Sequence, residues 1–160
     1  MPTWAKRVEL NRTTFILSLR AAVATVLAYL CAKGLRLPEF YWAPISTIVI
    51  LLSTVEPITQ AWQRFAGTAL GASLGALIAT FFRPNWIVYG VGILVCGLLS
   101  SLLRIAGSYR VAAIALTIVL LISHDRPPWI VATHRFVEVS LGIGVALLIT
   151  IVWKVRAETA

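Results

Sequence analysis

The chain has 160 residues, of which 59% are hydrophobic and only 12% charged, with a mean hydropathy of +0.90 and a formal net charge of +8. A water-soluble domain of this size cannot cover its surface with so few polar groups, so that class is excluded and a membrane protein replaces it. The excess of 14 Lys+Arg over 6 Asp+Glu does not point to nucleic acid, because the cations sit at the ends of apolar runs with no basic stripe or aromatic platform; the positive-inside rule and anionic headgroups account for them.

The pattern predicts an all-α, polytopic bundle of six transmembrane helices in one domain over residues 1–160. Helix 1 is expected over Thr13–Cys31 and is read as a retained helix, since Arg20 interrupts the run and no clean cleavage site follows it. Helix 2 spans Tyr41–Val55 between Pro38 and Pro57, and Pro44 inside it is expected to kink or break it. Helix 3, Ile58–Phe82, carries Gly67, Gly71 and Gly75 at four-residue steps, so the three share one face. Small-residue faces of this kind let helices approach closely in lipid. The ladder therefore reads as a packing seam, within the subunit or at a dimer interface, with a pathway wall as the other reading. Helix 4 spans Trp86–Leu103, helix 5 Tyr109–Ser123 and helix 6 Phe136–Trp153, where Gly142 and Gly144 are expected to serve as a second seam. Trp4, Trp42, Trp86, Trp129 and Trp153 fall near the ends, as interfacial belts do.

The chain also resembles itself. TIVILLS (47–53) is matched by TIVLLIS (117–123), and each is followed by a proline, Pro57 or Pro128. Arg64-Phe65 and Arg135-Phe136 follow at the same spacing, then Leu70-Gly71 and Leu141-Gly142. Helices 1 and 4 show no such match. A three-helix unit crosses a membrane an odd number of times, so halves 13–82 and 86–153 form a possible inverted repeat, a common build for transporters with a site between the halves. The short helices 2 and 5 occupy equivalent places, which marks a pathway or simply central packing.

The buried charges carry the functional reading, because a charge in hydrocarbon needs a partner or water. Arg20 either snorkels to the interface or faces a buried or hydrated site. Arg64 and Arg135 either line the two mouths of an anion path or anchor their helices to headgroups. Glu138, three residues after Arg135, either pairs with it locally or acts as a proton-coupling acid. Cys31 and Cys96 read as core thiols, and His124 and His134 as loop histidines. No catalytic triad, phosphate loop, metal motif or cofactor motif stands out. Lys and Arg favour both termini on the cytoplasmic side.

FYWAPISTIVIL (40–51) followed by QRFAGTALGASLGAL (63–77) resembles the FUSC, or fusaric-acid-resistance-like, membrane domain, whose superfamily includes aromatic acid exporters. The resemblance marks Trp42, Arg64, Gly67, Thr68 and Gly71 as signature positions. It implies a six-helix bundle in a bacterial inner membrane that moves organic anions, aromatic carboxylates among them. Plant-type malate channels are distant relatives with a similar subunit and act as dimers, which implies a homodimer and leaves a passive channel open. The larger exporters carry two such domains. A non-transporting membrane scaffold or subunit is the competing class.

Overall fold

The computed structural model describes residues 12–122 and 126–153, with side chains from residue 14 onward. The cations before residue 12, His124 and the C-terminal Lys154 and Arg156 lie outside them. Six α-helices are present among the described residues: α1 Arg12–Gly34, α2 Trp42–Leu51, α3 Pro57–Phe81, α4 Trp86–Leu102, α5 Tyr109–Thr117 and α6 Pro128–Val152. A single 3-10 turn, Ala106–Ser108, leads into α5, and a π-helical stretch, Ile118–Ile122, follows it. No strand occurs among the described residues. Thr14–Gly34, Pro57–Phe81 and Pro128–Val152 are each long and apolar enough to cross a bilayer. Phe81, Trp86, Leu102 and Ile151 are largely exposed, a surface that suits lipid and not water.

Local chemistry explains the ends. Pro57 and Pro128 occupy the first helical position, where the missing N–H costs nothing. Asn85 caps α4 by accepting from Ile87 N and Val88 N, both at 2.9 Å. Three expectations need correction. The sixth helix begins at Pro128 and not Phe136, because proline starts it cleanly and the charges that looked like its end are buried inside it. The second ends at Leu51 and not Val55; Ser53 turns back to take the N–H of Val55 at 3.1 Å. Pro44 breaks nothing, since it lies in the first turn of α2, where no intrahelical donor is lost.

α3 and α6 pack against each other at the centre. α5 sits on α3 and α4, whereas α2 sits on α6 and α1. Each of the two short helices thus packs on the long helix of the other half. Gly67, Gly71 and Gly75 face α5: a Cβ on Gly71 would overlap the Ala112 carbonyl, and one on Gly67 would lie 2.6 Å from the Ser108 carbonyl oxygen. Gly142 does the same against Ala43 of α2, where a Cβ would overlap the carbonyl. Gly144 has nothing within 4 Å and is no part of a seam.

The correspondence extends further. Gln60, Gly67, Thr68, Gly71, Ala72 and Gly75 of α3 are buried, and so are Val131, Glu138, Val139, Gly142, Ile143 and Ala146, each 71 positions later. The ends of α1 and α4 also agree, although their apolar bodies do not. Leu35 N, Arg36 N and Leu37 N donate to the carbonyls of Cys31, Lys33 and Ala32. Leu103 N, Arg104 N and Ile105 N, 68 positions later, donate to Leu99, Ser101 and Ser100. Arg36 and Arg104 both take positive φ, 54° and 58°, the conformation glycine adopts most readily.

Candidate functional site

The predicted charges fall into three places. Near the α1–α2 turn, Arg135 and Glu138 of α6 are buried, at 3% and 0% exposure, inside what reads as a membrane span. Such charges survive only with partners. Arg135 finds its partner in Glu39, not in Glu138 as its spacing suggests: Nη2 donates to Glu39 Oε2 at 2.7 Å. Its guanidinium carbon lies 3.9 Å from the centre of the Trp42 ring, a stacking geometry that holds the plane of the cation. The Trp42 indole N–H donates to the same Glu39 oxygen at 3.0 Å. Glu138 Oε1 accepts from the backbone N–H of Glu39 at 2.9 Å. Trp42 is therefore a ligand of the charge cluster.

The α1–α2 turn carries Glu39 into this position, and α2 begins three residues later at Trp42. One carboxylate thus meets the guanidinium, and a second holds the backbone of the residue that supplies it. Arg135 Nε and Nη1 and Glu138 Oε2 are buried and have no partner among the described residues. Buried polar groups left over in this way call for an explanation beyond packing.

Arg64 stands on α3 beside Phe65, whose ring centre lies 4.9 Å from that of Phe136, the neighbour of Arg135 on α6. It is half-buried, its Nε is buried without a partner, and it makes no hydrogen bond or ion pair among the described residues. Nearby, the side-chain position of Gly107 is occupied by the Gln63 amide, whose Nε2 lies 2.6 Å from where a Cβ would be.

Arg20 is the third. It is half-buried and donates through Nη2 to Thr150 of α6 at 2.8 Å, while its Nε is buried and unpartnered. The arginine joins α1 to α6. None of the three arginines lines the clefts bounded by Ala69 and Phe136, by Leu74 and Val95, by Tyr89 and Ile118 or by Leu94 and Tyr109. A cleft of about 700 Å³ lies between α4 and α5, where Tyr89 and Thr117 share a hydrogen bond of 3.1 Å, but neither Arg64 nor Arg135 lines it. Cys96 is buried and Cys31 exposed, both as free thiols, and no group of three potential metal ligands occurs among the described residues.

Glu39 is the residue that the sequence did not reveal. It sits in an ordinary loop, LPEFYW, 96 positions from Arg135. The signal that could have found it is the match of Leu35-Arg36-Leu37 with Leu103-Arg104-Ile105, which aligns the two turns.

Apolar helices with an exposed greasy surface and buried charges define a helical membrane protein. The comparison with known families agrees: residues 23–149 match the fusaric acid resistance protein-like family, and the chain belongs to it. It is similar to inner membrane protein YeeA of Escherichia coli (strain K12), with 26% identity over 146 residues, covering 86% of this chain and 40% of that protein. The chain thus spans about two fifths of the length of this curated relative. No solved structure matches.

Proposed function

We propose that this chain is a transport subunit of the bacterial inner membrane that moves small organic anions, aromatic carboxylates first among them. The observation that carries the reading is the arginine pair Arg64 and Arg135. Both lie on the two central helices, 71 positions apart, buried or half-buried, with guanidinium nitrogens left unpartnered among the described residues. A cation held in hydrocarbon is costly, and it recurs where an anion has to pass.

Three features support the wider frame of six spans, an inverted repeat and both termini on the cytoplasmic side. The buried faces of α3 and α6 correspond, the α1–α2 and α4–α5 turns share one hydrogen-bond pattern, and the short helices are exchanged between halves. These are the relations that an in-plane pseudo-two-fold axis imposes, with the path at the interface of the halves. Glu138, fully buried with one oxygen unpartnered, is the group suited to carry a proton with the anion. A homodimer places two such units side by side, as the two-domain build of the larger exporters does.

The scaffold reading loses ground on one observation. Its working surface was the glycine ladder, and that ladder is already filled by α5 of the same chain. The decisive experiment is efflux of radiolabelled benzoate from proteoliposomes, wild type against Arg64→Ala. Saturable efflux that Arg64→Ala weakens is the expected result; linear, unsaturating flux indicates a passive channel. No flux above empty liposomes from folded protein rejects transport of this class. If Glu138 couples protons, Glu138→Gln flattens the pH dependence of that efflux, and an unchanged profile removes the residue from the mechanism.

A further inference from the structure

The two arginines occupy related positions, yet their surroundings differ. The matched hydrogen bonds of the two turns set the correspondence: Leu35, Arg36 and Leu37 align with Leu103, Arg104 and Ile105. The same register carries Tyr41 onto Tyr109, Trp42 onto Arg110 and Glu39 onto Gly107. Where the α1–α2 turn supplies a carboxylate to Arg135, the matching position of the α4–α5 turn is a glycine. The Gln63 amide fills the space that a side chain on Gly107 would take. Arg135 is consequently neutralised at 2.7 Å, and Arg64 is not, among the described residues.

Glu39 also has the form of a ligand. It presents one carboxylate oxygen to a guanidinium that is stacked on an indole, and that oxygen takes a second bond from the indole N–H. The carboxylate is 31% exposed, at the rim of the cluster and not inside it. Its backbone N–H is tied to Glu138, so the strap that bears it is fixed while the side chain reaches out over Arg135.

We infer that Glu39 is a tethered carboxylate that fills the anion position at Arg135, so that the chain offers one open anion position, at Arg64, and one that is self-occupied. This rests on the anion reading above and adds a polarity to it. A free carboxylate loads at Arg64 without competition. At Arg135 it has to displace a carboxylate held at very high local concentration by its own loop, and an internal ligand of this kind outcompetes a free one by mass action.

The test is binding, independent of transport. The full chain in detergent is titrated with 4-fluorobenzoate, followed by fluorine NMR. Wild type is expected to show one saturable position per chain, weakened at least tenfold by Arg64→Gln. Glu39→Gln keeps the size of the side chain and an acceptor for the Trp42 N–H, so the fold is retained, as unchanged gel filtration and circular dichroism check. It is expected to add a second position, which the double variant Glu39→Gln/Arg135→Gln loses again. The inference is overturned by any of three results: Glu39→Gln still binds one equivalent, wild-type binding survives Arg64→Gln, or neither wild type nor Glu39→Gln binds the probe. A chain that binds in the expected pattern but moves no benzoate sinks the transport reading and leaves this one standing. A chain that transports but gains nothing from Glu39→Gln does the reverse.

Discussion

Gly142 and Gly144 sit two residues apart on α6, and a methyl group added to each meets opposite fates. Both substitutions to alanine raise helix propensity by the same amount, about 0.8–1 kcal/mol, so that term cancels between them. The Gly144 position is open, with nothing within 4 Å, so Gly144→Ala is expected to be neutral or stabilising. At Gly142 the new Cβ overlaps the Ala43 carbonyl and lies 2.7 Å from Ser46 Cβ. Carbon atoms rest at roughly 3.5–4.0 Å, so α2 and α6 have to part by about 1 Å. That displacement strains the bond from Thr47 Oγ1 to the Gly142 carbonyl, now 3.0 Å. Losing it costs about 0.5–1.5 kcal/mol, and overpacking adds about 1–3 kcal/mol. Gly142→Ala should therefore be less stable than Gly144→Ala by about 2–4 kcal/mol. The assay is reversible unfolding in mixed detergent micelles at increasing mole fraction of dodecyl sulfate, read by far-ultraviolet circular dichroism. Two variants within about 0.5 kcal/mol of each other would refute the close-packed α2–α6 seam and the packing role given to Gly142.

Three further outcomes are expected from the same unfolding assay. Arg135→Gln leaves Glu39 and Glu138 without their cation and should cost about 3–5 kcal/mol, with Glu39→Gln in the same chain restoring part of it; a harmless single variant contradicts the ion pair. Trp42→Leu removes both the stacked ring and the indole donor and should cost about 1–2 kcal/mol, and Trp42→Phe, which keeps a ring face, should lose less. Thr150→Val keeps the shape of the side chain but deprives Arg20 of its acceptor, at about 1.5–3 kcal/mol for a bond to a charged group; no change would return Arg20 to the role of an interfacial anchor.

Most of the fold could be read from the chain because lipid simplifies the code. Apolar runs bounded by Pro, Gly and charge became helices, and glycines at four-residue steps became contact faces, since close approach needs small residues whatever lies opposite. The start of α6 was not legible for the same reason. Arg135 looks like the boundary of the apolar run until Glu39 and Trp42 are seen beside it, and those lie far off in the chain. The correspondence of Arg64 with Arg135 was visible as Arg-Phe at a fixed distance after each proline. What differs between them was not, because it depends on Glu39 and Gly107, two loop residues with no pattern of their own. The match of the α1 and α4 ends was hidden too: backbone hydrogen bonds define it, and only Leu-Arg-Leu and Leu-Arg-Ile remain of it in the side chains.

The exchanged seating of the short helices has a consequence for how the chain is built. α2 has ten residues, so its helix is about 15 Å long, half of a bilayer core of about 30 Å. Its buried stripe of Ala43, Ser46, Thr47 and Ile50 is covered largely by α6, which is made long after it. α5, by contrast, emerges to find α3 already in place. The N-terminal half therefore cannot finish folding until the C-terminal half has been synthesised, while the C-terminal half can dock as it appears. The arrangement is that of a domain swap closed within a single polypeptide, in which each half lends its middle helix to the other. Neither half is then a self-sufficient module, and a ribosome that stops before α6 leaves α2 as an orphan, a natural target for membrane quality control.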